Sequence, residues 1–281
     1  MSPDIPHTRP ATAGEPGLLA GVRDVLADPI HLFDRVWCGV DGSAGSFDAT
    51  TQVDSLAPAT ASFGIFGVVD TMTMVGGLTP YGSAYDMYQE GVEELVRRAA
   101  ESIGHRHPKQ VVVVGPPVPT THELLDIEHA TLVAVGAGTP SRAMGVLRGG
   151  LATELVHAPH RPTLLARPQD EGHGAFPDTI VVGYDGSDPS RRALAVGEEI
   201  ASRLASWVTV VIVGDDPIPE PALSEPAARV SRFSGDAHAV LAEIPADLVI
   251  VGSSGRAGVH ALGSVSERVA HHSHSSVLLI P

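Results

Sequence analysis

The sequence contains little cysteine, few basic residues and no long apolar run. Cys38 is the single cysteine among 281 residues, which excludes a framework of intrachain disulfides and favours a reducing, cytoplasmic environment. Because Cys38 falls within a predicted strand, we interpret it as a buried and unreactive thiol. Lysine and arginine total 18 against 33 acidic residues. This balance argues against a nucleic-acid partner, since contacts to phosphates require clustered positive charge.

Neither a membrane span nor a secretion signal is visible in the sequence. No apolar run approaches the roughly 20 residues that cross a bilayer, and residues 1–16 lack the basic start and apolar core of a signal peptide. We therefore expect a cytoplasmic protein with no membrane partner. Residues 1–16 are rich in proline and small polar residues, which favours a disordered tail. Apolar residues at helical spacing then predict a short helix at 18–26, which packs on the protein or, alternatively, contacts a membrane.

Three sequence blocks occur twice in the same order, which predicts two copies of one domain. The matching segments are 36–46 with 181–190, 130–136 with 246–252, and 147–168 with 262–281. The first pair contains an apolar strand followed by DGSxxS. We divide the chain into a tail with a short helix (1–34), a first domain (35–168) and a second domain (178–281).

The two copies differ by one predicted helix. In copy one, residues 83–104 have a helical pattern with an apolar face that we interpret as packing onto a sheet. That face consists of Tyr81, Tyr85, Tyr88, Val92, Leu95 and Val96. In copy two the corresponding stretch, residues 215–228, contains four prolines and cannot form a long helix. We therefore expect the second domain to be shortened and to lack one covering helix.

Apolar strands alternate with helices in both copies. Strands are predicted at 35–40, 61–69, 109–114, 130–136, 162–167, 178–184, 207–214, 228–233, 247–252 and 275–280. Helices are predicted at 46–57, 83–104, 120–128, 149–157, 188–205, 236–243 and 263–271. This alternation predicts an α/β fold with two open, doubly wound, Rossmann-like sheets of five parallel strands in tandem.

Each copy ends in a short apolar strand, at 162–168 and 275–281. An unpaired apolar edge is prone to association. Antiparallel pairing of these last strands would satisfy both edges and join the copies as an intrachain pseudo-dimer. A homodimer of whole chains is a further arrangement that the sequence leaves open.

Two polar blocks follow strands at the sheet edge where doubly wound folds bind ligands. Asp185, Gly186 and Ser187 follow the first strand of copy two, and a glycine-rich loop begins at Gly252 after the fourth. A carboxylate can accept hydrogen bonds from a base or ribose, while the loop and the next helix start can bind phosphates. An acceptor for a base or ribose together with a phosphate-binding loop indicates an adenine nucleotide. GxxxxGK[ST] is absent and GxGxxG does not follow the first strand, so neither a P-loop nor an ordinary dinucleotide fold is supported.

Purely structural interpretations of these residues remain open. Glycines after a strand can serve a tight strand-to-helix passage, Asp41 and Asp185 can hold their turns through Asx hydrogen bonds, and Ser264 can be a helix N-cap. The HHSH segment at 271–274 spans a helix end and a strand start, where three histidines converge poorly on one ion, so we expect no metal site. No Ser/His/Asp arrangement or carboxylate pair indicates catalysis, so we do not expect an enzyme.

The DGSxxS turns, the loop GSSGRAG and the sequence GSVSERV resemble the tandem form of the universal stress protein family, over about residues 35–281. Its ATP-binding members carry G-x2-G-x9-G-[ST]. The resemblance implies a site for ATP or AMP, with Mg²⁺ as a candidate companion ion, in the second domain. Its residues are Asp185, Gly186, Ser187, Val213, Gly252, Gly255, Arg256, Gly263, Ser264, Val265 and Ser266. A weaker site in the first domain would consist of Asp41, Gly42, Ser43, Val68, Gly136, Gly138, Gly149 and Gly150.

This chain departs from the family pattern in both copies. Seven residues, rather than nine, separate Gly255 from Gly263, which shortens the phosphate loop of copy two. In copy one, Thr139 takes the place of the second glycine and Gly150 that of the serine. The resemblance implies a nucleotide-binding stress-response or regulatory protein that acts through a change of conformation or partner. The alternatives are an interaction scaffold with vestigial sites and a slow ATPase.

Overall fold

A computed structural model of the chain describes most of both repeated copies. It describes residues 29–70, 83–137, 150–157, 161–169, 175–215, 217–253 and 263–281. The helix predicted at 18–26 lies outside these ranges. Within them, no helix is long and apolar enough to cross a membrane.

The described residues form ten β-strands, and each coincides with a predicted strand to within two residues at either end. They are β1 (Arg35–Gly39), β2 (Ser62–Asp70), β3 (Lys109–Gly115), β4 (Leu132–Gly136), β5 (Thr163–Ala166), β6 (Thr179–Gly183), β7 (Trp207–Val213), β8 (Ala228–Phe233), β9 (Leu248–Gly252) and β10 (Ser276–Ile280). Apolar runs predict these strands well because strands covered on both faces are apolar throughout.

The same ranges contain seven α-helices and two short 3-10 helices, at Pro29–Phe33 and Gly104–Arg106. The α-helices are α1 (Ala44–Leu56), α2 (Ser83–Ser102), α3 (Pro117–Ile127), α4 (Gly150–His157), α5 (Asp188–Leu204), α6 (Ala237–Glu243) and α7 (Ser264–His272). Two predicted starts are wrong. Helix α1 begins directly after its N-cap, Ser43, and α3 begins at Pro117, because proline fits the first helical turn, where no intrahelical N–H bond is lost.

All ten strands belong to one sheet in the order β3-β2-β1-β4-β5-β10-β9-β6-β7-β8. Neighbouring strands are parallel within each half, and β5 and β10 pair antiparallel with Leu164 opposite Leu278. This confirms the predicted fold class, two doubly wound five-stranded units joined through their last strands. We call β1–β5 with α1–α4 the N-terminal half, and β6–β10 with α5–α7 the C-terminal half. The strand order reverses at β1/β4 and at β6/β9, which is where such sheets bind ligands.

One continuous apolar core covers each face of the sheet and crosses the junction between the halves. Helices α1, α2 and α5 pack on one face, where the core includes Val53 and Ile200. Helices α3, α4, α6 and α7 pack on the other, where the core includes Leu155 and Val269. Cys38 of β1 is fully buried, as predicted, and burial raises the pKa of its thiol. The two halves therefore share their apolar cores across the junction.

A buried polar cluster also crosses the junction. The Arg167 guanidinium, at the end of β5, donates hydrogen bonds to the carbonyl oxygens of Ser275 (3.1 Å) and Ala270 (2.6 Å). The Gln52 amide donates to the Arg167 carbonyl at 2.7 Å and accepts from the Ser276 hydroxyl at 2.7 Å. Burial lowers the pKa of Arg167 to about 10. The cluster connects α1 of one half with the end of α7 in the other.

An extended segment, rather than a helix, connects β7 to β8 in the C-terminal half. Residues 217–227 contain no helix. The Glu198 carboxylate on α5 accepts hydrogen bonds from the backbone N–H groups of Ser224 (2.6 Å) and Glu225 (3.1 Å). Ile218 of the segment is buried. This proline-rich segment, pinned to α5, occupies the chain position that α2 has in the N-terminal half.

Candidate functional site

The Asp-Gly-Ser turn of the N-terminal half closes through its own side chains. The Asp41 carboxylate oxygen Oδ1 accepts hydrogen bonds from the backbone N–H of Ser43 (2.9 Å) and from its hydroxyl (2.6 Å). Gly42 has a φ of 82°, a left-handed conformation that suits glycine. The Ser43 hydroxyl then accepts from the N–H of Ser46 and caps α1. The Asx-turn interpretation of Asp41 is confirmed.

The C-terminal half repeats this turn in a more enclosed setting. Asp185 accepts a hydrogen bond from the N–H of Ser187 at 2.9 Å, Gly186 has a φ of 78°, and Ser187 caps α5. Partial burial raises the pKa of Asp185, but hydrogen bonds from Ser187 and Ser190 outweigh it, and the pKa lies below its ordinary value. Asp185 is therefore an ionised, half-buried acceptor as well as a turn residue.

The glycines that end β4 and β9 are required by helix packing. A Cβ on Gly136 would lie 2.4 Å from the backbone carbon of Gly45, at the start of α1. A Cβ on Gly252 would lie 2.6 Å from Cβ and 2.8 Å from the backbone carbon of Pro189, at the start of α5. Such distances exclude any side chain. These two glycines are therefore needed for contact with the start of a neighbouring helix, which differs from the passage into the following helix suggested by the sequence.

A cavity of about 270 Å³ lies at the carboxyl edge of the C-terminal half. We call it the C-cavity, and its lining is Gly183, Tyr184, Asp185, Ser187, Ser190, Val211, Val213, Ala237, Leu241, Val251, Gly252, Gly263, Val265 and Ser266. Seven of the predicted site residues are brought together in this lining. Gly186, in the turn behind it, and Ser264, the first residue of α7, are not in the lining, and Gly255 and Arg256 lie outside the described residues.

Helix α7 begins at the C-cavity without a side-chain cap. Its N-cap is Gly263, which offers no side chain to the free N–H groups of the first turn, so the expectation that Ser264 is the N-cap is wrong. Gly263 is placed there because its N–H donates to the carbonyl of Ser253 at 2.7 Å. The first N–H groups of α7, on Ser264, Val265 and Ser266, have no acceptor within the helix. Helices α5 and α6, in contrast, are capped by side chains.

A larger cavity, about 530 Å³, lies at the carboxyl edge of the N-terminal half. We call it the N-cavity, and its described lining is Gly39, Val40, Asp41, Phe66, Val68, Met87, Tyr88, Gly91, Val92, Leu95, Pro117, Val135, Gly136, Leu151 and Ala152. Of the predicted site residues, Asp41, Val68 and Gly136 line it. Those that do not are Gly42 and Ser43, which lie in the turn, and Gly150, which starts α4, while Gly138 and Gly149 lie outside the described residues.

Comparison with known proteins decides the family. The universal stress protein family model matches residues 32–167 and 236–281. This chain belongs to the universal stress protein family. A universal stress protein of Mycobacterium tuberculosis is 28% identical over 289 residues, covering 86% of this chain and 95% of that protein. One of Mycolicibacterium smegmatis is 26% identical over 223 residues, covering 68% of this chain and 76% of the relative.

A solved universal stress protein has the same fold. The crystal structure of the protein from Archaeoglobus fulgidus superposes with a TM-score of 0.68, covering 88% of this chain and 98% of that chain. Its sequence is 22% identical to this one. The likeness at that identity supports the tandem architecture described above and leaves the ligand to be argued from the cavities.

Sequence reasoning missed one wall of the N-cavity in this universal stress protein. The tyrosine pattern on α2 predicts packing onto the sheet, and Val92 and Val96 are indeed buried. Tyr88, however, is 43% exposed and lines the cavity instead. The prediction is wrong for Tyr88, which faces the cavity and solvent, and Tyr81 of the same predicted face lies outside the described residues. In the C-cavity, the missed Ser190 had a signal, the final serine of the repeated DGSxxS.

Proposed function

We propose that the C-cavity of this universal stress protein binds an adenine nucleotide, ATP or AMP, in the cytoplasm. Binding then changes the conformation of the chain or its choice of partner in a stress response. The observation that carries this proposal is the uncapped start of α7, which lines the same cavity as the carboxylate of Asp185. The backbone donors at the start of α7 can bind a phosphate, and the Asp185 carboxylate can accept hydrogen bonds from a nucleoside. One cavity therefore has a group suited to each end of a nucleotide.

The start of α7 suits the phosphate end. Three N–H groups without intrahelical acceptors and the positive end of the helix dipole attract an anion. Val265 and Ser266 line the cavity directly. The Ser266 hydroxyl already donates to the carbonyl of Gly252, which ties α7 to the end of β9. The donors that a phosphate would meet are therefore backbone groups held in fixed positions.

The opposite side of the C-cavity suits the nucleoside. Val211, Val213 and Val251 provide an aliphatic surface for a base, and the ionised Asp185 can accept hydrogen bonds from a ribose hydroxyl or an amino group. A volume of about 270 Å³ is close to the lower limit for small-molecule sites. It suits a nucleoside with its first phosphate, so the further phosphates of ATP would extend beyond it.

An Mg²⁺ ion would enter this site with ATP rather than on protein ligands. Within the described ranges, no three His, Cys, Asp or Glu side chains come together as metal ligands would. His272 and His274, part of the HHSH segment, are exposed at the far end of α7 from the cavity.

Mass spectrometry of small molecules released from freshly purified, denatured protein tests the proposal. Release of ATP or AMP in proportion to protein supports nucleotide binding. Conversion of added ATP to ADP over time would instead indicate a slow ATPase. If the protein released no nucleotide and bound none on addition, the result would favour the interaction scaffold.

A pair of variants at one position tests the role of α7. Ser264→Pro removes the first N–H donor of the helix, and proline is well tolerated at a first helical position. We expect its affinity for AMP to fall about tenfold, in keeping with about 1.5 kcal/mol for a hydrogen bond to a charged group. Ser264→Ala keeps the N–H and is the matched control. Equal affinities of the two variants would show that the Ser264 N–H does not bind the phosphate.

A further inference from the structure

We infer that the N-cavity binds an uncharged, largely apolar small molecule with one hydrogen-bond donor. This inference stands independently of nucleotide binding in the C-cavity. A cavity of about 530 Å³ is well within the size range of sites for drug-sized ligands. Its chemistry therefore decides the ligand class.

The N-cavity is apolar on its floor and on its walls. Phe66, Val68 and Val135 of the sheet form part of the floor, and Met87 and Leu95 of α2 form part of one wall. The opposite wall is the start of α4. Asp41 is the one charged side chain among the described lining residues. Burying a ligand against this surface gains free energy in proportion to its apolar area.

The side chains at the helix start differ between the two cavities. The sequence repeat aligns Ser266 with Ala152 and Val265 with Leu151. Ala152 is buried and lines the cavity with a methyl group where the other half has a hydroxyl. Asp41 and Asp185 are equivalent carboxylates in the two cavities, so their charge does not distinguish the sites. The difference lies in the side chains at the helix start, where the N-cavity has a methyl group in place of a hydroxyl.

Asp41 defines the polar contact of the ligand. Its Oδ1 is used by the N–H and hydroxyl of Ser43, which leaves Oδ2 to accept a hydrogen bond. An ionised carboxylate accepts and does not donate. The ligand therefore needs an N–H or O–H donor, attached to an apolar body that fills the rest of the cavity.

Helix α2 has exposed apolar side chains and an open position beside the cavity. Met87 is 70% exposed and Tyr88 is 43% exposed, although both line the cavity. A ligand would cover apolar surface that otherwise faces water. Gly91 also lines the cavity, and a Cβ built on it would meet no described atom outside its own helix within 4 Å. A larger side chain at Gly91 would therefore enter the cavity without displacing protein atoms.

Two fluorescent probes with the same ring system test the ligand class. N-phenyl-1-naphthylamine is uncharged, apolar and has one N–H donor, and 8-anilino-1-naphthalenesulfonate adds a sulfonate to the same skeleton. We expect the uncharged probe to bind the full chain with one site per chain, shown by a blue-shifted rise in fluorescence. The sulfonate should bind at least tenfold more weakly. Equal affinities, or no binding of the uncharged probe, would overturn the inference.

Variants of α2 locate the probe. Gly91→Leu should reduce the affinity for the uncharged probe at least tenfold, whereas Gly91→Ala, which makes the same backbone change without a long side chain, should keep most of it. Met87→Glu is a surface change that cannot disrupt the core. It should lower the affinity for the uncharged probe several-fold, whereas Met87→Leu should not. Probe binding that is unchanged in both Gly91→Leu and Met87→Glu, or displacement of the probe by AMP, would refute the assignment.

Discussion

The two halves of this universal stress protein share a framework and differ in what covers it. Both halves have the same Asp-Gly-Ser turn, the same strand order and a glycine that lets a helix start pack against a strand end. The N-cavity has an apolar wall, α2, and an alanine at the start of α4. The C-cavity has a hydroxyl and an uncapped helix start. Duplication has therefore kept the residues that the backbone requires and changed those that line the cavities.

Helix α2 and the proline-rich segment each place a side chain against the Asp-Gly-Ser turn of their own half. In the N-terminal half, Leu95 of α2 lies 3.0 Å from the position of a Cβ on Gly42. In the C-terminal half, Ile218 of the proline-rich segment lies 3.5 Å from the corresponding position on Gly186. One aliphatic side chain closes each turn, although one comes from a helix and the other from an extended segment. Local packing is conserved while the outer wall of the cavity is not.

The largest expected effect comes from substitutions that disrupt the packing common to both halves. Gly136→Val and Gly252→Val each place a side chain against the backbone of a helix start. We expect each to lower the free energy of unfolding by about 3 kcal/mol or more, because the backbone must shift to admit the new atoms. Urea unfolding checks this. Gly91→Ala, where space is open, is the control and should stabilise the chain slightly. A tolerated valine at either position would contradict the packing role.

The next effect concerns the junction, where the two halves are not equivalent. By sheet register the counterpart of Arg167 is Pro281, so the guanidinium contact exists on one side of the junction. Arg167→Met leaves the buried carbonyls of Ser275 and Ala270 without this donor. We expect a loss of about 2 kcal/mol in the free energy of unfolding. Arg167→Lys should recover part of it, and full stability of Arg167→Met would show that the cluster contributes nothing.

A smaller effect tests the contact between α5 and the proline-rich segment, which occupies the chain position that α2 has in the N-terminal half. Glu198→Ala removes the acceptor for the N–H groups of Ser224 and Glu225. We expect a loss of about 1 kcal/mol, since Ser224 is exposed and water replaces the carboxylate in part. Hydrogen exchange of residues 217–227 should accelerate while that of β7 does not change. Glu199→Ala, one residue along α5, is the control, and acceleration in both variants would contradict the assignment.

The smallest effect is a pH dependence of stability. Because the pKa of Asp185 is lowered in the folded state, its ionised form stabilises the fold above the unfolded value of about 3.9. That contribution is lost as the pH falls through the lowered folded pKa. Asp185→Asn, which can still accept from Ser187, should be less stable than wild type at pH 7 by less than about 1 kcal/mol. The difference should shrink as the pH is lowered below about 3.9 and disappear below the folded pKa, and a difference independent of pH would show that charge is not its cause.

The sequence predicted the fold well because its strands are buried on both faces and its repeat is clear. Apolar runs located each described strand, and the two apolar ends at 162–168 and 275–281 predicted the antiparallel junction. The Arg167 cluster was not predicted, since its partners Gln52, Ala270 and Ser275 are far apart in sequence and are mostly backbone carbonyls. Backbone acceptors have no residue-type signal.

The site was predicted less completely than the fold. The Asp-Gly-Ser turns and the start of α7 were located from small polar residues, because these residue types are needed locally. The contribution of α2 to the N-cavity was missed, since an apolar helix face looks the same whether it covers a sheet or lines a cavity. Tyr88 illustrates this, because its helical spacing matches that of the buried Val92.

We propose that the two cavities of this duplicated fold bind different ligands, and calorimetric titration of the full chain with AMP tests this. We expect one AMP per chain, with binding strongly weakened in Ser264→Pro and unchanged in Gly91→Leu. Two equivalent AMP sites per chain, or loss of AMP binding in Gly91→Leu, would contradict the division between the N-cavity and the C-cavity.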